Sequence, residues 1–106
     1  MDIIRDGPTL ALAGEFDVRS TFEVRAALYD HLEEHVTGND ADVVLDLSEV
    51  TSIDVTALRV LAVATLAAER AGHHLRLRGC GPAVRRMIHL SRLARHVDVE
   101  REAVSA

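Results

Sequence analysis

One cysteine, no lysine, no internal repeat and no long apolar run: each shortage closes off a class of protein. With Cys80 alone, no internal disulfide can form, which fits a reducing compartment. The richest apolar stretch, Val60 to Ala68, is interrupted by Thr65 and is far too short to span a bilayer. The opening Met1-Asp2-Ile3-Ile4-Arg5-Asp6 lacks the basic start and apolar run of a signal peptide, so a cytoplasmic location is expected. Metal-ligand spacing is missing too. His73, His74 and Cys80 fall into no zinc pattern, and His31 and His35, one helical turn apart, lack a third ligand and read as a solvated face. Gly79-Cys80-Gly81 lacks the lysine and the spacing of a phosphate loop, and no serine or cysteine nucleophile has a recognisable setting. The expectation is a protein without metal, cofactor or catalysis.

What is present is 106 residues, enough for one domain with its own core, and a net charge of −5 that hides an asymmetry. Through Leu58 there are 13 acidic and 3 basic residues, a balance of −10; from Arg59 onward 9 basic and 4 acidic residues give +5. Every basic residue is arginine, which reads as a compositional bias of the source genome. So acidic a first half argues against nucleic-acid binding, which needs a basic footprint. Steering toward a protein partner stays open.

Hydropathy periods alternate between strand and helix. Thr9 to Ala13 alternates as a strand that Gly14 ends, and Asp2 to Arg5 reads as an added edge strand. Ser20 and Glu23 fit a capping box for a helix from Arg19 to Val36, with Phe22, Ala26, Tyr29, Leu32 and Val36 as its apolar stripe. Residues 37–40 read as a loop. Asp42 to Leu47 is continuously apolar enough for the centre of a sheet. Val55 to Ala71 predicts a helix apolar on most sides, stopped by Gly72. Leu75 to Arg78 alternates as a strand with one wet face. Gly81-Pro82 opens a helix whose stripe is Val84, Met87, Ile88 and Leu90. A short turn over 91–95, an edge strand over 97–99 and a frayed tail from Arg101 complete the α/β reading, with the ordered core over about 8–99.

The stretch from Val43 to Leu61 carries the chemistry. A buried strand runs into a loop presenting Ser52, Asp54 and Thr56 at a helix N-terminus, where unpaired N–H groups and the helix dipole welcome negative charge. Asp54 reads as the N-cap, Asp46 as a loop organiser at the strand's end, and Arg59 as facing solvent or a partner. Thr56 and Ser52 are candidate phosphoacceptors.

Asp46-Leu47-Ser48, then Asp54-Val55-Thr56-Ala57-Leu58, resembles the signature of STAS domains, the anti-sigma factor antagonists of bacteria. Leu10 to Asp17 resembles that family's opening strand and turn, and Gly81 to Leu90 its last long helix. The resemblance implies a single-domain fold, a small mixed sheet of four or five strands with helices packed mainly on one face. It implies a non-catalytic domain that binds a serine/threonine kinase anti-sigma factor of the GHKL type and so frees a sigma factor. The implied contact surface is Ser52, Asp54, Val55 and Thr56, the helix edge at Arg59 and Val63, and the turn Glu15-Phe16-Asp17. The family's phosphoacceptor aligns with Val55, which has no hydroxyl, so a phospho-switch is either moved to Thr56 or Ser52 or absent, and absence is preferred. Two other readings stay open: an accessory or scaffold subunit of a transporter ATPase or stress-sensing complex, and nucleotide or small-molecule sensing at the helix N-terminus. A homodimer through the apolar helix is a further expectation.

Overall fold

The structure, a computed structural model, describes residues 1–34 and 42–100. Its elements run β1 (Asp2–Asp6), β2 (Thr9–Phe16), α1 (Thr21–Glu34), β3 (Asp42–Ile53), α2 (Val55–Arg70), β4 (His74–Arg78), α3 (Pro82–Ser91), a 3₁₀ turn (Ala94–His96) and β5 (Asp98–Val99). In space the five strands lie in chain order. β1 and β2 pair antiparallel around Gly7, whose φ of +57° suits a tight reversal. The remaining pairs are parallel, and each needs a crossover, which α1, α2 and α3 supply. All three helices bury residues in one cluster with Leu10, Leu12, Val43, Leu45, Leu47, Leu75 and Leu77, so the helical layer covers a single face of the sheet. Val43, Val44 and Leu45 are all buried, as a strand at the centre demands.

Two strands outrun their sequence signals. β2 continues past Gly14 to Phe16, and β3 continues to Ile53 through Ser48, Glu49, Thr51 and Ser52, all exposed. The cause is a pair of bulges. β3 spends three steps, Asp46 to Glu49, where β2 spends two, and then two steps, Val50 to Ser52, where β2 spends one. Each extra residue breaks the alternation by which a strand is recognised. Asp46 therefore sits inside the strand rather than at its end, and its Oδ1 accepts the Ser48 N–H at 2.9 Å, holding the first bulge. The chain leaving β4 passes close over that bulge at Gly79. A Cβ there would lie 2.8 Å from Ser48 Cβ, and φ is +68°.

The helices corrected one stripe and kept the rest in outline. α1 buries Val24, Leu28, His31 and Leu32, while Phe22 is 84% exposed. The inward face is turned from the expected stripe, with Ala26 exposed and Tyr29 only partly buried while Leu32 packs as expected, because a helical period marks a face without saying which face meets the sheet. His31 is fully buried with Nε2 3.0 Å from the Pro8 carbonyl, not on a solvated face; His35 lies outside the described residues, as do Val36 and the loop over 37–40. α1 begins at Thr21, and Ser20 forms no capping box. Its hydroxyl turns back to the Glu15 and Asp17 carbonyls and accepts the Asp17 N–H at 3.1 Å. α2 buries Ala57, Leu58, Leu61, Ala64, Thr65 and Ala68; Thr65, expected among the polar positions, donates to the Leu61 carbonyl at 2.8 Å. α3 opens at Pro82 as expected and buries Val84 and Ile88, but Leu90 points outward.

Candidate functional site

Asp54 is the residue on which the candidate site is built. Folding β3 and α2 end to end leaves it alone between them, with extended backbone, as the N-cap of α2. Its Oδ1 accepts the Ala57 N–H at 2.8 Å and satisfies a donor that the first helical turn cannot pair internally. Its Oδ2 accepts the Val18 N–H at 3.0 Å, and its own N–H donates to the Phe16 carbonyl at 3.2 Å. One carboxylate thus fastens the α2 terminus to the connection between β2 and α1, thirty-six residues earlier in the chain.

That connection carries its own charged knot. Arg19 donates to Asp17 from its backbone N–H at 2.9 Å and from its guanidinium at 2.7 Å, and the same guanidinium reaches Glu15 at 2.8 Å. The Arg19 hydrogen bonds hold the Asp17 carboxyl below the usual carboxylate range, and the two acids in turn push the Arg19 pKa upward. Sequence reading missed Arg19, because Glu15 lies in a strand and Arg19 in the connection after it, where no helical spacing signals an ion pair.

Beside Asp54, Val55 is half-buried and Thr56 is exposed, and the Thr56 hydroxyl makes no hydrogen bond among the described residues. Arg59 is exposed one turn on and makes no ion pair among the described residues; Val63 follows at 57% exposure. Asp54, Thr56, Arg59 and Val63 are thus brought together along one edge of α2. Two expected contacts are not. Phe16 is completely buried in the core, because β2 runs through it with the Leu10 and Leu12 side of the strand inward; its place in the contact surface is withdrawn. Ser52 is exposed but belongs to β3, paired with Glu15, not to a loop at the helix terminus. Glu15 likewise lies within a strand, which ends at Phe16, and Asp17 lies in the turn itself.

Thr56, Arg59, Val60 and Val63 form one wall of a shallow groove of about 320 Å³, and Arg25 and Tyr29 of α1 form the other. Arg25 lies over the Tyr29 ring, 5.7 Å from its centre. Among the described residues no group of three histidine, cysteine or acidic side chains could hold a metal ion, and no helix is long and apolar enough to cross a membrane.

Comparison with known proteins places the chain and its fold. A family model described as "Mlab, STAS domain" matches residues 2–100. No curated protein matches the chain in sequence. Among solved structures, a protein assigned as an anti-sigma factor antagonist from Thermotoga maritima superposes with a TM-score of 0.73 at 20% identity, over 98% of this chain and 87% of its own. An anti-sigma factor antagonist from Mycobacterium paratuberculosis gives 0.75 at 20% identity, over 94% and 83%. The murine anion transporter Slc26a9 gives 0.71 at 14% identity, over 90% of this chain but only 16% of the transporter.

Proposed function

The chain belongs to the STAS family, and from that premise we propose that it is an anti-sigma factor antagonist, a cytoplasmic, non-catalytic domain that binds a kinase anti-sigma factor and so releases a sigma factor to transcription. One observation carries the reading: Asp54 fixes the first turn of α2 so that exposed Thr56, Arg59 and Val63 stand in a row beside the Asp17 turn. A surface mixing a fixed carboxylate, a guanidinium and an exposed valine suits a protein partner; its polar part gives specificity and its apolar part affinity. Two partners sharing one anti-sigma surface would then compete by their relative free energies. The GHKL kinase class is part of this proposal and comes from the family resemblance.

With Val55 where the family carries its acceptor serine, the domain binds without a phospho-switch at that position. Thr56 is the remaining candidate acceptor at the helix terminus, ahead of Ser52, which the β3 extension moves away from it. A phosphate on Thr56 would add up to about two negative charges beside Asp54. Incubating the protein with its anti-sigma kinase and ATP, followed by mass spectrometry, should leave Thr56 and Ser52 unmodified; stoichiometric phosphate on Thr56 would restore the switch.

A second reading is favoured by the match to the anion transporter, together with the missing acceptor hydroxyl: a domain attached to a transport machine. That the machine is a transporter ATPase, with this chain as its accessory, comes from the family resemblance. Co-purification from the native cell separates the two. A kinase anti-sigma factor retained by the wild type and lost from Asp54→Ala and Thr56→Glu supports the first reading. A transporter ATPase in its place supports the second. Retention of every partner by both variants would refute the site.

A further inference from the structure

Beyond the terminus of α2, α1 leaves an unexpected surface bare. Phe22, on the first turn of α1, is the most exposed large apolar side chain described, at 84%. Phe22, Arg25 and Tyr29 stand at i, i+3 and i+7, so they share one stripe of the helix, and Arg25 and Tyr29 are already a wall of the groove whose other wall is Thr56, Arg59, Val60 and Val63. A bare aromatic in line with such a groove extends it by a turn, and aromatics and arginines are the side chains that anchor protein interfaces.

The charges lining the groove select its occupant. The whole chain carries −5, yet both charged residues in this lining, Arg25 and Arg59, are guanidiniums. Neither is paired with an acid among the described residues; Arg25 rests on the Tyr29 ring, and Arg59 is exposed. Beyond Tyr29 the surface changes sign at Glu33, which lines the neighbouring hollow with Leu32 and His73. The groove is therefore apolar along its floor and positive at Arg25 and Arg59, with Glu33 negative past Tyr29.

Building on the docking reading above, we infer that this groove receives an amphipathic helix of the partner, its apolar face on Phe22, Tyr29, Val60 and Val63 and its carboxylates over Arg25 and Arg59. A helix fits because a shallow trough between two helices accepts a third by ridges in grooves, whereas a strand would need an open sheet edge.

The test is a titration of the ¹⁵N-labelled full chain with a stapled helical peptide of about 18 residues, leucines on one face and glutamates along one flank. A second peptide replaces the glutamates with lysines. The glutamate peptide should move the amide signals of Arg25, Tyr29, Arg59, Val60 and Val63. The Arg25→Glu/Arg59→Glu variant should bind it at least about tenfold more weakly and should prefer the lysine peptide. Phe22→Ser, at an exposed position, should weaken both peptides while leaving the rest of the spectrum in place. Equal response to the two peptides, no response in the groove, or broadening of the same signals with protein concentration alone would overturn the inference, the last by giving the groove to a second copy of the chain. Failure here leaves the co-purification result standing, since that also reads Asp54, which does not line the groove.

Discussion

At the scale of single residues, the site depends on two acids that do different jobs. Asp54 is a cap with two loops to hold, so Asp54→Ala should lower stability by about 1–2 kcal/mol, within the range for lost N-caps. At roughly 4–8 °C per kcal/mol for a domain near this size, thermal melting would show it plainly. An unchanged melting temperature would mean that the two hydrogen bonds are dispensable. Asp17 is instead held by Arg19. Its lowered pKa means that the folded state favours the ionised carboxyl. The resulting stabilisation is complete above the ordinary carboxylate range and fades as pH falls through the lowered value. Following the Asp17 carboxyl carbon by NMR should give a midpoint below that range, moving up to it in Arg19→Ala; equal midpoints would deny the knot any electrostatic effect. Asp54 was legible as a cap from its place before Thr56 and a helical period. Its second bond, to Val18, was not, because no local pattern reports a contact thirty-six residues away.

At the scale of elements, the helices show why amphipathic patterns are easier to detect than to orient. The type of α1 followed from its period, but its inward face did not. The apolar recurrence from Phe22 put that ring inside, where tertiary packing took Val24 and Leu28. α2 is the complementary case: apolar on most sides, it spends Leu58 and Leu61 on the core and leaves Val63 and Leu66 outside. The contrast can be measured. Leu58→Ala, at a fully buried position, should cost about 2–5 kcal/mol, whereas Phe22→Ser should change stability by about 0.5 kcal/mol or less, by denaturant titration. A large loss in Phe22→Ser would show that its ring packs somewhere after all. The strands teach a related lesson. β4 alternates cleanly and was read to within a residue, while the bulges in β3 erased the period and hid its last six residues.

Over the whole molecule, a sheet in chain order with helices on one face makes β3 and β4 each a member of two crossover units, with β3 at the centre. Paired on both sides and buried through Val43, Val44 and Leu45, its amides should exchange with solvent only through global unfolding. Those of β1, an edge strand with four of five residues exposed, should exchange through local opening at least about tenfold faster. Equal protection would contradict the layered picture. The fold class, the central strand and the order of elements were legible because burial writes itself into composition over whole segments. The groove was not, because it is assembled from α1 and α2 together. The Asp54 carboxylate joins the start of α2 to the β2–α1 connection without being used up. Each Asp54 oxygen takes one N–H and keeps a further lone pair, so an incoming guanidinium could settle on this carboxylate with neither loop let go. Its rotamer freedom was surrendered when the chain folded, and recognition of this acid would therefore begin from a target already standing still.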